Sequence, residues 1–165
     1  MSKLDNYFTA FYESEKVQKY LQMQKDRDLF DSMVDSDHIF DQNHRIDKML
    51  RILNLNKHII KDKTILNIRP KLAILAFAAV REGAKEVIIV DDSNMTNYIE
   101  QLILKHNLSD KIKVIKKSVR DQSLKLEKVD ILLSDWIGSF GVNMGYAEDF
   151  IYARDHFLKA NGIVM

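Results

Sequence analysis

The stretch from residue 64 to the C-terminus predicts an α/β fold with a mostly parallel, twisted sheet and helices on both faces. Two observations carry this expectation. Short strand-like runs and helix-like segments follow one another in the order β-α-β-α-β-β-α-β. The strand-like runs are also apolar almost throughout rather than alternating, which is the pattern of strands buried on both sides.

The elements follow in order. Tyr7, Phe8, Phe11 and Tyr12 recur at helical spacing, as do Val17, Tyr20 and Leu21, so residues 1–36 read as an N-terminal helical segment. After a polar break, Ile39, Phe40, Ile46, Met49, Leu50 and Leu53 mark a second amphipathic stretch, and residues 37–165 read as one domain. TILNI, from residue 64, is a short, partly β-branched strand. LAILAFAAV is a buried helix, rich enough in alanine to pack closely, and Gly83 ends it. EVIIVD is the next strand, and Asp92, Ser93 and Asn94 form a capping cluster before a helix carrying Met95, Tyr98, Ile99, Leu102 and Ile103. KIKVIKK is a strand with lysines on its solvent face, VDILLSD is another, residues 145–158 form a helix, and GIVM begins a last strand.

Composition narrows the function classes. A chain of 165 residues with 46% hydrophobic and 30% charged residues suits one globular domain with a real core. Its formal net charge of +1 gives no broad field toward nucleic acid or anionic membrane, so neither is an expected partner. The absence of cysteine excludes disulfides, thiolate metal sites and cysteine nucleophiles. His38, His44, His58, His106 and His156 show no metal-binding spacing, so no metal is expected. There is no apolar run of membrane-spanning length and no signal-peptide core at the N-terminus, which points to a cytoplasmic or nuclear protein.

Ligands of such sheets bind at the carboxyl ends of the strands, and the turn after the first strand usually supplies glycines for close backbone approach. Here that turn reads Arg69-Pro70-Lys71-Leu72-Ala73 and holds no glycine. Arg69 and Lys71 would occupy the space a ligand needs, and Pro70 removes an amide donor. Asp91 ends the second strand, where a ribose hydroxyl would be bound; capping with Asp92 and Ser93 explains it equally well. Cations at a helix N-terminus are unfavourable without a partner, so the Arg69/Lys71 loop could hold an anion or nucleotide. The expected course of both side chains is nevertheless outward, to solvent.

Three strings, in this order and spacing, resemble the protein arginine methyltransferase family from about Asp37 to the C-terminus. KDKTILNIRPKLAILAFAAVREGAKEVIIVDDS is similar to the family segment built on KDKxVLDVGxGxGIL, LEKVDILLSDWIG to VDxIxSEWMG, and IYARDHFLKANGIVM to YARDxxLxxxGxxxP. The resemblance implies a Rossmann-like class I methyltransferase domain that takes S-adenosylmethionine, and it aligns this chain's departures with the chemistry. The three loop glycines fall on Arg69, Lys71 and Ala73. The ribose-binding acid falls on Asp91, and the acid that contacts the adenine amino group falls on Arg120, a reversal of charge. The arginine that pairs with the cofactor carboxylate falls on Arg45. Of the two glutamates that clamp a substrate guanidinium, the first is Asp135, one methylene shorter, and the second falls on Met144; Glu148 could substitute only in a rebuilt loop. The family continues into a β-barrel with a dimerisation arm, and that barrel is absent from this chain.

Taken with the resemblance, these departures imply a catalytically inactive regulatory or scaffold subunit that binds no cofactor and associates with an active arginine methyltransferase paralogue as a hetero-oligomer. A divergent active S-adenosylmethionine-dependent enzyme, using Asp91, Arg45, Asp135 and Glu148, is the second expectation. An anion- or nucleotide-binding module at the Arg69/Lys71 loop is the third.

Overall fold

The computed structural model describes residues 47–70, 73–134 and 146–165. Residues 1–36, Arg45, Lys71, Asp135 and Met144 lie outside the described residues. The chain divides into two compact units, Met1–Arg51 and Ile52–Met165. Residues 47–51 of the first are helical, and everything below concerns the second.

TILNI forms β1 (Thr64–Ile68) and EVIIV forms β2 (Glu86–Val90). β3 (Ile112–Ile115), β4 (Val129–Leu133) and β5 (Leu158–Val164) complete a sheet of order β3-β2-β1-β4-β5, in which every pairing is parallel. The helices are α1 (Lys57–Ile60), α2 (Ile74–Arg81), α3 (Met95–Lys105) and α4 (Ala147–Phe157). The expected fold class and element order are therefore observed. Among the described residues, no helix is long and apolar enough to cross a membrane.

From β1 the chain steps outward to β2 and β3, then returns to place β4 on the other side of β1. The order reverses there, and in sheets of this kind the ligand crevice lies at the carboxyl ends of the strands beside the reversal. Right-handed crossovers moving in opposite directions along the sheet put α2 and α3 on one face and α4 on the other. Core contacts agree with this. Phe150, Ala153 and Phe157 of α4 pack with Leu66, Ile68, Val90, Val129 and Leu132. On β1 these are the even-numbered positions, so Ile65 and Asn67 face the opposite layer.

In α2, Ala76, Ala78 and Ala79 are fully buried beside Phe77, so the alanines bring the helix close to the sheet. Gly83 ends α2 at φ +95, a conformation that L side chains rarely adopt, while the amide of Ala84 donates to the carbonyl of Ala79.

β3 is shorter than KIKVIKK because Lys116 and Lys117 leave the ladder. Lys116 pairs with Glu100 at 2.7 Å and Lys117 donates to Ser123 at 2.6 Å. The last strand starts earlier than GIVM. Leu158 pairs with Val129 directly after α4, the chain bulges, and Ile163 and Val164 rejoin opposite Ile131 and Leu132. Gly162 sits in that bulge because a β-carbon there would come within 2.6 Å of the Leu158 side chain.

At the opposite, amino end of the sheet, Asp130 accepts from the amide of Thr64 at 3.0 Å and from Lys159 at 2.7 Å, which joins β4 to both neighbours. The bond from Lys159 and then that from Thr64 hold its pKa below the ordinary carboxylate value. A lowered folded pKa contributes stability that is fully present above the unfolded value of about 4 and lost as pH falls through the folded one.

Two outcomes follow, both measured by denaturant unfolding. Phe77→Ala loses about 3–5 kcal/mol through lost burial and a cavity that a close-packed alanine helix cannot fill. Asp130→Asn loses about 1 kcal/mol at neutral pH, and the difference from wild type shrinks as pH falls below about 4.

Candidate functional site

The carboxyl ends of β1, β2 and β3 and the first turn of α4 converge at the crevice, and a charged network spans it. Arg69 follows β1 directly, and its side chain does not run outward as expected. Its Nε donates to Oδ2 of Asp149 at 3.1 Å, and one terminal nitrogen lies 3.0 Å from the same oxygen. The other terminal nitrogen lies 3.2 Å from Asp92, just beyond β2. The guanidinium carbon stands 5.1 Å from the centre of the Tyr146 ring, within cation–π range. Arg120, in the segment after β3, places Nε 2.9 Å from Oδ1 of Asp149 and donates from a terminal nitrogen to Glu148 at 2.9 Å.

The cause of this convergence is Asp149. Its side chain is only 3% exposed, and a buried carboxylate is costly unless cations and donors surround it. Arg69 and Arg120 supply those cations from opposite sides. The contact of Arg120 with Oδ1 is an ion pair out of line for a hydrogen bond, so that oxygen has no hydrogen-bond donor. Burial on its own would lower the Arg69 pKa. The hydrogen bond to Asp149 and the charges of Asp92, Asp149 and Asp91 outweigh it, and the guanidinium ends above its ordinary value. Arg69 therefore stays charged at any pH the fold survives. The anion that could relieve a cation beside the N-terminus of α2 is supplied by the chain itself.

The loop backbone carries a second constraint. Arg69 has φ +48 and Ala73 has φ +57, both in the left-handed region where a side chain costs on the order of 1 kcal/mol. These are two of the three positions that the resembled pattern fills with glycine. At Arg69 and Ala73 the turn has kept a glycine-type backbone without the glycines. It closes with the amide of Ala73 donating to the carbonyl of Pro70 at 2.7 Å, and Ala73 is fully buried.

Asp91 is 5% exposed, and its Oδ1 accepts from the amide of Ser93 at 2.9 Å. Ser93 Oγ in turn accepts from the amide of Met95 at 3.3 Å, while Asn94 at the start of α3 makes no side-chain capping bond. Glu148 is exposed and engaged by Arg120. The structure thus brings together Arg69, Arg120, Glu148 and the segment beginning at Asp91. No group of His, Asp and Glu suited to a metal ion occurs among the described residues.

Sequence reasoning missed Asp149, Tyr146 and Asn67. Asp149 reads in sequence as one of two acids in a helix's first turn, an ordinary place for an acid. Nothing local links it to an arginine 80 positions away. Asn67 is fully buried in β1; its Nδ2 donates to the carbonyl of Leu133 at 2.9 Å and its Oδ1 has no partner. A polar residue within TILNI was the available signal. Ser134 adds a second tie between β4 and β1, donating to the carbonyl of Ile68 at 3.2 Å.

Residues 69–165, more than half of the chain, match the family described as PRMT5 arginine-N-methyltransferase. Over 109 residues the chain is 36% identical to protein arginine N-methyltransferase 1 of Saccharomyces cerevisiae, covering 66% of this chain and 31% of that protein. Protein arginine methyltransferase 10 of Arabidopsis thaliana superposes with a TM-score of 0.69 at 34% identity, over 73% of this chain and 34% of that one. The Trypanosoma brucei PRMT1 enzyme-prozyme heterotetrameric complex with AdoHcy gives a TM-score of 0.71 at 27% identity, over 76% and 39%. The chain spans roughly a third of the length of these relatives. The extent of the family match and the shared fold establish that this chain belongs to the protein arginine N-methyltransferase family.

Proposed function

We propose that this chain is a catalytically silent arginine-methyltransferase-like subunit that binds an active arginine methyltransferase and adjusts its activity. One observation carries the reading. The crevice that would take a methyl donor is crossed by Arg69, which ion-pairs to Asp92 on one side and Asp149 on the other.

The residues present do not fit S-adenosylmethionine, the cofactor that the family implies. A ligand that lies on a glycine turn requires backbone without side chains, and this turn carries Arg69 and Ala73. The position for a contact to an adenine amino group carries Arg120, a donor where an acceptor is required, and it is already bound to Glu148 and Asp149. Asp91 retains its carboxylate but spends one oxygen on the Ser93 amide. Meanwhile the described residues keep a five-stranded parallel sheet and a packed core, which supports selection on the fold rather than on transfer chemistry.

The regulatory half of the proposal draws on the Trypanosoma brucei complex, in which an enzyme is assembled with a prozyme. The present chain resembles a component of such a pair and carries the altered crevice expected of the silent member.

Millimolar S-adenosylmethionine leaves the thermal unfolding midpoint unchanged if the reading is right. A ligand at about 100 times its dissociation constant would raise it on the order of 5–10 °C, and such a rise would favour a divergent active enzyme instead. For the partner, size-exclusion chromatography with active arginine methyltransferases of the same organism gives a joint peak and an altered methylation rate. A monomer that changes no paralogue's rate would refute the regulatory role.

A further inference from the structure

We infer that Arg69 and Arg120 form an intrasteric latch anchored on Asp149, and that this latch, rather than collapse of the crevice, keeps an adenosine-bearing ligand out. The inference rests on the reading that the crevice descends from a methyl-donor site.

Three features separate a latched site from a collapsed one. The turn after β1 keeps left-handed backbone at Arg69 and Ala73, and these two positions still suit glycine. Asp91 remains buried at the end of β2, in position beside the turn. The occupants are side chains reaching in from the rim. Arg69 links the β1 turn to Asp92 after β2 and to α4, and Arg120 links the segment after β3 to the same helix. Four elements that would part around a ligand are tied together by two guanidiniums.

The two arginines are not equal. Arg120 is 50% exposed, and its partner Glu148 is 77% exposed, so water and salt screen that pair. Arg69 is 31% exposed and grips a carboxylate that is 3% exposed, with the face of Tyr146 close by. Arg69 is the bolt of the latch and Arg120 a brace. Removal of Arg69 therefore clears the larger of the two guanidinium obstructions and leaves Arg120 as the smaller one. Glycine at that position also relieves the left-handed backbone, which offsets part of the cost of leaving Asp149 with Arg120 as its remaining cation.

The test is calorimetric titration of S-adenosylhomocysteine into wild type, Arg69→Gly, Arg120→Ala and the double variant, each checked for cooperative unfolding. Arg69→Ala runs beside Arg69→Gly. It removes the guanidinium and keeps a β-carbon, in a backbone conformation that Ala73 already holds. Arg69→Gly and Arg69→Ala are expected to tighten binding at least about tenfold, Arg120→Ala alone by less than about threefold, and the double variant the most. Folded Arg69 variants that bind no better than wild type overturn the latch while leaving the silent-subunit reading intact. Tight binding by wild type overturns both.

Discussion

A carboxylate taken almost wholly out of water governs the carboxyl edge of this sheet. Asp149 enters the core side of α4 beside Phe150, and an ionised group at such a place is tolerated only with cations against it. Arg69 and Arg120 provide them, and the elements that carry these residues are drawn together as a result. The geometry of the crevice, the course of the Arg69 side chain and the exposure of Glu148 all follow from where that charge is buried. An arginine fork suits the task better than a lysine would, because it stays charged and reaches Asp149 and Asp92 at once.

The rest of the domain supplies the frame on which this contact stands. Parallel pairing of β1 with both β2 and β4 fixes the strand ends to within a residue of one another. The close-packed alanines of α2 set the height of the turn that carries Arg69 and Ala73. The strain of two left-handed residues is offset by that packing and by the ion pairs, and it persists in a turn with no glycine of its own.

Much of the fold was legible in the sequence, and for identifiable reasons. TILNI and EVIIV are apolar apart from Thr64, Asn67 and Glu86, so strands buried on both faces followed directly, and Gly83 marked the end of α2 because its backbone suits φ +95. The edges of the sheet were harder. Lys116 and Lys117 look like strand residues but make side-chain contacts outside the ladder, and the bulge at Gly162 depends on where Leu158 packs. The candidate site was legible only by half. The replaced turn glycines and the reversed charge at Arg120 stood out, yet nothing in the sequence coupled them. Their common partner lies on a helix that only the finished topology brings to the crevice, and that is why the Arg69 side chain was expected to point outward.

The most direct measurement is a double-mutant cycle on unfolding free energy with Arg69→Ala, Asp149→Ala and the pair. If the two side chains clamp each other across the crevice, the double variant is less destabilised than the sum of the singles, with a coupling of about 1–3 kcal/mol. Additivity to within about 0.3–0.5 kcal/mol would mean that the contact does not exist in solution and that the crevice is not closed in this way.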